Sequence, residues 1–282
     1  VAKVRLQGIN PTLMSEDEVY SLLSNASQII TKLSEIDNLC NKIESIRFYG
    51  SGCRPDKLPM MKRIFSLLYP YTTAIEVGSD IIGAAKALCR SHEGIACILG
   101  TGSNSCLWNG ERIIQATPCL GYILGDEGGG AVMGKLFINA LYKGRLGDKL
   151  KNEFEAYFSL NINDIIYRVY RQPRANYFLA SLCLFIREKI DENKVLEELV
   201  IDNFRAFFHN NIKPYNRPDL PVNFIGSIAF HFEPWLRSAA EKEGFKLGII
   251  KKTPIINSKK SDLDSKIYRV KSKNYYPDYH IH

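Results

Sequence analysis

The chain has 282 residues, of which 45% are hydrophobic and 24% charged, and its formal net charge at pH 7 is +7. This is the composition of a globular protein, and the apolar runs are too short to form a membrane-spanning helix. Because basic residues are spread along the chain and no leader pattern opens it, we expect a cytoplasmic protein that binds neither nucleic acid nor membrane.

The seven cysteines are scattered singly, without a Cys-x-x-Cys pair, and their number is odd. This pattern argues against a disulfide scaffold or a zinc site and predicts reduced, mostly buried thiols. The five histidines lack the His-x-x-His and His-Glu-x-x-His spacings of metal sites. We therefore predict no metal site built from protein side chains.

Strand and helix alternate at the start of the chain. Ser15-Glu16-Asp17-Glu18 predicts a helix start, and apolar residues at helical spacing continue the helix to Leu33. Residues 46–49 and 74–77 are predicted strands, with a helix over 60–68 between them. Asp80 follows the second strand and opens the next predicted helix, a position at which α/β sheets place ligand-handling groups.

A second set of elements starts near His92. Residues 95–99, 103–108 and 113–116 are predicted strands, and Asn109-Gly110 predicts a hairpin turn between the last two. A helix is predicted after residues 128–130, and further helices from about 150 to 212, whose aromatic stripes indicate core positions. Residues 222–225 are the last predicted strand and run into Gly226-Ser227.

A glycine-rich turn, Gly-Thr-Gly-Ser-Asn-Ser at residues 100–105, follows the predicted strand 95–99 directly. Gly100 and Gly102 have no Cβ, so consecutive backbone N–H groups can converge on one anion there. Thr101 and Ser103 add hydroxyl donors. A second glycine-rich turn at residues 121–130 carries Asp126, and together the two turns and their acids indicate phosphoryl transfer.

Four motifs together resemble a known family. They are Gly78-Ser79-Asp80, Gly100 to Asn104, Gly125-Asp126-Glu127-Gly128, and Phe224-Ile225-Gly226-Ser227-Ile228-Ala229. In this order and spacing they resemble N-acetylglucosamine kinases and, more broadly, the BadF/BadG/BcrA/BcrD ATPases of the actin, Hsp70 and sugar-kinase superfamily. The resemblance runs from Gly8-Ile9-Asn10-Pro11 to about Lys251. It implies an α/β fold of two ribonuclease-H-like domains, with the nucleotide in the cleft between them and the sugar beside it.

The resemblance implies a role for each matched residue. Asp80 resembles the catalytic base that takes the proton of the sugar 6-hydroxyl, although an aspartate at a helix start is also a favoured N-cap. The implied phosphate loop consists of Gly100, Thr101, Gly102 and Ser103, which resemble the loop that contacts the β- and γ-phosphates of ATP. The alternative interpretation is a tight hairpin that needs glycine only for its dihedral angles. Gly226 and Ser227 resemble the adenosine loop, and their alternative is a simple strand end.

The sugar is expected to contact residues from both halves of the chain. By position these are Asn10, Asn104, Leu120, Gly121 and Asp126. The alternative for Asn10 is an ordinary turn asparagine, and the alternative for Asp126 is a cap for the helix after Gly128. ATP and Mg²⁺ are the implied cofactors.

The chain departs from the family at both ends. Family members open with a phosphate loop that begins with Asp and helps position magnesium, and no such loop occurs before Gly8. We expect the polypeptide as written to bind ATP poorly, and we expect a segment ahead of Val1. The tail from residue 257, rich in Lys and Tyr, is expected to be solvated or loosely packed.

These observations predict a first domain at 1–91 with the sugar and the catalytic base, incomplete at its start. A nucleotide-binding domain with a helical insertion is predicted at 92–250, and a basic tail at 251–282. The predicted activity is ATP-dependent phosphorylation of an amino sugar, N-acetylglucosamine first among them, with a homodimer face on the helices of 150–212. The alternatives are an ATPase that activates a reductase or dehydratase through an iron–sulfur cluster, and a non-catalytic sugar sensor.

Overall fold

The computed structural model describes residues 3–34, 39–253 and 269–273. The described part of the chain forms two units. The first contains the residues up to Gly83 together with 269–273, and the second runs from Ala84 to residue 253. The domain bounds 1–91, 92–250 and 251–282 remain a prediction.

Strands and helices alternate over residues 3–99, after which come two more strands, up to residue 116, and then only helices from 121 to 215. The strands are β1 (Lys3–Gln7), β2 (Ser45–Gly50), β3 (Ala74–Ser79), β4 (Glu93–Leu99), β5 (Ser103–Asn109), β6 (Ile113–Ala116), β7 (Val222–Ile225), β8 (Leu247–Lys251) and β9 (Arg269–Lys273). The helices are α1 (Glu16–Ser34), α2 (Leu58–Leu68), α3 (Asp80–Leu88), α4 (Gly121–Leu124), α5 (Gly130–Tyr142), α6 (Asp148–Phe158), α7 (Ile162–Tyr170), α8 (Ala175–Ser181), α9 (Cys183–Lys189), α10 (Lys194–Phe207), α11 (Ser227–His231) and α12 (Glu233–Lys242).

In the first unit, β2 and β3 pair in parallel from Ser45 opposite Ala74 to Gly50 opposite Ser79. Helix α1 begins with the expected capping box, because the Ser15 amide donates to Glu18 Oε2 at 2.7 Å and the Glu18 amide donates to Ser15 Oγ at 3.2 Å. Its apolar face shares a buried core with α2, which includes the residues Val19, Leu23, Ile30, Met61, Ile64 and Phe65.

Strand β9 lies within the predicted basic tail. It pairs in parallel with β1, from Lys3 opposite Arg269 to Gln7 opposite Lys273. This pairing gives residues 269–273 a backbone partner, and the expectation of a solvated or loosely packed terminus stays a prediction. An edge strand presents unpaired N–H and C=O groups, which a second strand can satisfy even when local composition favours solvation. The rest of the predicted tail, at 254–268 and 274–282, lies outside the described residues.

The second unit contains a five-stranded sheet in the order β6-β5-β4-β7-β8. Strands β4, β5 and β6 are antiparallel neighbours, whereas β7 and β8 run parallel to β4. The predicted Asn109-Gly110 turn is confirmed: Gly110 has φ 96°, and Asn109 Oδ1 accepts hydrogen bonds from the Glu111 and Arg112 amides at 3.0 and 2.8 Å. Strand β8 and helices α11 and α12 were not predicted from the sequence.

Helices α5 to α10 pack around this sheet with a large apolar core. Its fully buried side chains include Phe137, Phe154, Phe185, Phe204 and Phe224, so the prediction that the aromatic stripes of 150–212 are core is confirmed. The expected α/β class is confirmed as well. None of the seven cysteines, all within the described residues, forms a disulfide.

No helix in the described ranges combines the length and the apolar character needed to cross a membrane.

Candidate active site

The glycine-rich loop between β4 and β5 is tied to the start of helix α5. The Gly130 amide donates to the Gly100 carbonyl at 2.8 Å, and the Ala131 amide donates to the Thr101 carbonyl at 2.9 Å. Within the loop, the Gly100 amide donates to the Gly102 carbonyl at 3.0 Å. Within the described part of the chain, the amides of Thr101 and Gly102 donate to no backbone carbonyl group. The loop therefore uses its carbonyl groups for structure, and two of its N–H groups have no backbone partner, as an anion site requires.

Gly100 and Gly102 lack side chains for different reasons. A Cβ on Gly100 would meet no atom within 4 Å, and its φ lies outside the left-handed region. Hairpin dihedral angles therefore do not require glycine there, and the space beside it is open. A Cβ on Gly102 would stand 2.6 Å from Asp126 Oδ2. Its absence lets the carboxylate of Asp126 pack against the loop.

Asp126 is held tightly beside this loop. Its backbone has φ 59°, an uncommon left-handed conformation for a residue other than glycine. Burial raises the pKa of its carboxyl group, whereas the hydrogen bonds from the Ser103 amide and the Cys119 thiol favour the charged form and lower it. The nearby charge of Glu127 raises this pKa further.

The alternative role for Asp126, as the cap of the following helix, is wrong. Helix α5 has Gly129 at its N-cap and no side-chain hydrogen bond there. Asp126 contributes only its carbonyl oxygen, which accepts from the Gly129 amide at 2.9 Å. Its side chain is left to face the loop.

A cavity of about 130 Å³ lies next to this carboxylate. It is lined by Ser103, Asn104, Thr117, Pro118, Cys119, Leu120, Leu124, Gly125, Asp126, Glu127, Asn210 and Asn211. The structure thus brings together three of the residues predicted to contact the sugar, Asn104, Leu120 and Asp126. Gly121 follows Leu120 and begins the one-turn helix α4 with φ 76°.

The sequence analysis missed several residues of this cavity. Glu127 accepts hydrogen bonds from the side-chain amides of Asn210 and Asn211 at 2.9 and 3.5 Å. Glu127 could have been predicted as a site residue, because it follows Asp126 directly within the motif Gly125-Asp126-Glu127-Gly128. Asn210 and Asn211 end a long helical stretch and carry no local signal that marks a site.

Asn203 is a further missed residue, behind the second glycine-rich turn. Its Oδ1 accepts from the buried Gly128 amide at 3.1 Å, and the residue is 2% exposed. The two groups are far apart in sequence, so only the folded chain shows that this asparagine supports the turn.

Gly226 and Ser227 lie where β7 ends and α11 begins. Gly226 has φ 133°, and a Cβ there would stand 2.0 Å from the Leu99 carbonyl oxygen. The close approach of the backbone to β4 is thus sufficient to explain the glycine. This agrees with the alternative interpretation, in which Gly226 marks a simple strand end. The predicted role of both residues in binding adenosine stays a prediction.

Asp80 and Asn10 belong to the first unit. Asp80 directly follows β3 and is the first residue of α3, where its Oδ1 accepts from the Ile81 amide at 2.8 Å. Burial raises the pKa of this carboxyl group, and the bond from Ile81 partly opposes that shift. Asn10 Oδ1 accepts from the Thr12 amide at 3.0 Å, as a turn asparagine does, and its predicted role in sugar binding stays a prediction.

Several solved structures resemble this chain. The putative N-acetylglucosamine kinase of Porphyromonas gingivalis is 43% identical to it, with 88% of this chain and 85% of that chain covered and a TM-score of 0.83. The chain belongs to the N-acetylglucosamine kinase family. The putative N-acetylglucosamine kinase of Chromobacterium violaceum is 16% identical, with 85% and 83% covered and a TM-score of 0.67, and shares the fold. No protein-family model and no curated protein matches the chain.

The resemblance to N-acetylglucosamine kinases drawn from the four motifs is thus confirmed. The roles of individual residues remain predictions. What the structure adds for this member of the family is the arrangement within its second unit, where the glycine-rich loop continues directly into Asn104 of the cavity and touches Asp126.

Proposed function

We propose that this protein is a cytoplasmic ATP-dependent kinase that phosphorylates the 6-hydroxyl of an amino sugar, with N-acetylglucosamine the leading substrate. The observation that carries the proposal is the continuity of two features within one loop. A turn with two available amides, at Thr101 and Gly102, runs straight into a cavity lined by acids and side-chain amides. Family membership supports the same activity.

The loop residues suit a phosphate ligand. The open space beside Gly100 would admit a phosphate oxygen close to the backbone, and the amides of Thr101 and Gly102 donate to no backbone carbonyl group among the described residues. We assign Gly100 to Ser103 to the β- and γ-phosphates of ATP. Gly226 and Ser227 are assigned to adenosine on the resemblance alone.

The cavity suits a sugar. Carboxylate and amide groups can form hydrogen bonds with hydroxyl groups, and Asn104, Asp126 and Glu127 bring such groups to the cavity lining. Leu120 and Leu124 line the cavity too, and supply apolar contact of the kind that an N-acyl methyl group would use. We assign Asn104, Asp126 and the Leu120-Gly121 backbone to sugar binding, with Asn10 from the first unit.

Asp80 is the proposed base. Phosphoryl transfer depends mainly on positioning and on charge neutralisation, with one carboxylate within reach of the attacking hydroxyl. Burial raises the pKa of Asp80, which makes its carboxylate a stronger proton acceptor than an exposed aspartate. In this role it takes the hydroxyl proton as the sugar oxygen forms its bond to the terminal phosphorus and the bond from that phosphorus to ADP breaks.

Magnesium would enter with the nucleotide. Over the described residues there is no cluster of three or more His, Cys, Asp or Glu side chains able to hold a metal ion. Mg²⁺ at phosphate sites needs only one or two carboxylates, because phosphate oxygens and water complete its octahedral shell. The described residues are thus compatible with a Mg²⁺ ion that is bound mainly through ATP. Such an ion would neutralise phosphate charge.

A coupled ADP-release assay with magnesium ATP tests this proposal. The protein is compared with N-acetylglucosamine, other hexosamines, glucose and no sugar. We expect ADP release that depends on an amino sugar, with a product that carries phosphate on the 6-oxygen, as read by ³¹P–¹H correlation NMR. ATP hydrolysis that is equal with and without sugar would instead favour the activator function, and binding of sugar without any turnover would favour the sensor.

A further inference from the structure

The end of helix α10 has an unusual geometry beside the cavity. After Phe207 the chain forms a π-helical turn, Phe208–Ile212, followed by a short 3-10 turn, Lys213–Tyr215. Phe208 and Ile212 are fully buried and anchor the π turn in the core of the second unit. Of the three residues between them, Asn210 and Asn211 line the cavity. Single π turns within longer helices are costly and occur often at functional sites.

The π turn holds one side of the cavity through Glu127. The Asn210 side-chain amide donates to Glu127 Oε1 at 2.9 Å, and that of Asn211 approaches Oε2 at 3.5 Å. Both carboxylate oxygens are therefore engaged by neighbouring residues of one turn. Glu127 follows Asp126 directly, so the position of this side chain is coupled to that of the acid assigned to the sugar.

The same segment also contacts Thr117, another residue of the cavity lining. The Thr117 hydroxyl lies 2.8 Å from the Asn211 carbonyl oxygen and 2.9 Å from the Tyr215 hydroxyl oxygen. The Thr117 amide donates to the Tyr215 hydroxyl at 3.1 Å, and Ser105 Oγ lies 2.7 Å from it. Tyr215 is only 4% exposed and does not line the cavity. It can influence a ligand only through the residues that it contacts.

We propose that the segment 208–215 is a positioning element of the sugar site, in which Asn210, Asn211 and Tyr215 hold two parts of the cavity lining, here called walls, in the positions that the sugar requires. The proposal rests on the proposed function. Asn210 and Asn211 hold the wall that carries Glu127, and Tyr215 holds the wall that runs from Thr117 to Leu120. Removal of one contact should widen the cavity and weaken sugar binding, while ATP binding and the chemical step are retained.

The first test replaces Tyr215 by Phe, which removes only the hydroxyl group. The Thr117 amide then loses its acceptor, a loss that should raise KM for the amino sugar about tenfold. KM for ATP and kcat should change by less than about twofold if the wall is a binding element. The matched control is Tyr142→Phe, which removes a hydroxyl bonded to Glu155 at 3.0 Å, on a side chain outside the cavity lining. Equal sugar KM values in folded Tyr215→Phe and wild type would overturn the proposal.

The second test reverses the hydrogen bond between Asn210 and Glu127 on the other wall. Asn210→Asp places two carboxylates together and should raise the sugar KM. Adding Glu127→Gln to Asn210→Asp restores an amide-to-carboxylate hydrogen bond with the donor reversed, so sugar affinity should return at least in part relative to Asn210→Asp alone. A double variant no better than that single variant would contradict a positioning role for Asn210.

A third measurement needs no substrate. Cys119 lies on the Thr117–Leu120 wall and is exposed, whereas Cys53, Cys89, Cys97, Cys106 and Cys183 are buried. The rate of its alkylation by N-ethylmaleimide, with Cys119→Ser as the background, should rise several-fold in Tyr215→Phe and stay at the wild-type rate in Tyr142→Phe. An unchanged rate in Tyr215→Phe would overturn the proposal. If the wild type phosphorylates no sugar, the proposed function fails, and this labelling experiment still decides whether Tyr215 orders the wall.

Discussion

The carboxylate of Asp126 occupies the space that a side chain on Gly102 would need, since a Cβ at residue 102 would stand 2.6 Å from Asp126 Oδ2. The glycine-rich loop and the cavity are therefore one structure in packing as well as in sequence. The sequence predicts the same role for both glycines of the loop. Each lacks a side chain, so that phosphate can approach the backbone. The structure assigns Gly102 to the contact with Asp126.

Gly102→Ala should therefore weaken sugar binding. The added methyl group displaces the Asp126 carboxylate from the Ser103 amide, and we expect the dissociation constant for the amino sugar to rise about tenfold or more. Titration calorimetry measures the effect. Gly100→Ala is the matched control, because its Cβ meets no atom within 4 Å, and sugar affinity in this variant should stay within about twofold of wild type. Equal sugar affinity in all three proteins would contradict the role given to Gly102.

Asp80→Asn should remove turnover and spare the sugar. Asparagine keeps an oxygen that can accept from the Ile81 amide but cannot take a proton, so kcat should fall by about 10² to 10⁴. Calorimetric sugar affinity should remain within about threefold of the wild-type value. Asp56→Asn, at an exposed acid of the first unit, serves as the control. A variant that retains most of its kcat would exclude Asp80 as the base.

The pH dependence of turnover should reflect the raised pKa of Asp80. Its carboxylate must be unprotonated to act as a base, so kcat/KM should fall as pH drops through a pKa that lies above the usual aspartate value of about 3.9. The midpoint of this acidic limb is read from kcat/KM for the sugar at saturating magnesium ATP. A midpoint at or below the ordinary aspartate value would contradict the effect of burial on this group.

The raised pKa of Asp80 also makes stability depend on pH, with a sign opposite to that for an ion-paired acid. Between the unfolded and the raised folded pKa, the folded state binds more protons than the unfolded state, so the free energy of unfolding falls as pH rises through this window. Asp80→Asn should therefore melt a few degrees higher than wild type at neutral pH. The difference should disappear below a pH of about 4, where both forms of the wild type are protonated. Melting curves at both pH values decide this, and a less stable variant at neutral pH would contradict it.

Asn203→Ala should destabilise the second unit. The buried Gly128 amide would lose its acceptor, and the cost should be about 1–3 kcal/mol in the free energy of unfolding. Urea denaturation followed by tryptophan fluorescence is suitable, since both tryptophans, Trp108 and Trp235, lie in that unit. Asn139→Ala, at an exposed position of α5, should change the same quantity by less than about 0.5 kcal/mol. Equal effects of the two substitutions would show that the Gly128 bond is unimportant.

Local signals in the sequence were sufficient for the order of most elements and for the loop. The capping box at Ser15, the Asn109-Gly110 turn and the apolar run before Gly100 each act over a few residues, and the structure contains each of them. The position of Asp80 directly after β3 follows from the same kind of signal. Periodicity and turn chemistry depend on residues that are neighbours in the chain, so both can be recognised in the sequence.

Tertiary structure alone decided which distant residues complete the site. Glu127 and Asn210 are separated by 83 residues, and Ser105 and Tyr215 by 110. The packing of Asp126 on Gly102, and the pairing of β9 with β1, likewise join segments with no local pattern that marks the partner. A hydrogen bond or a close contact across such a distance depends on where the whole core places two short segments. The sequence by itself therefore determined the α/β order and the chemistry of the loop, and the folded chain determined the shape of the cavity beside it.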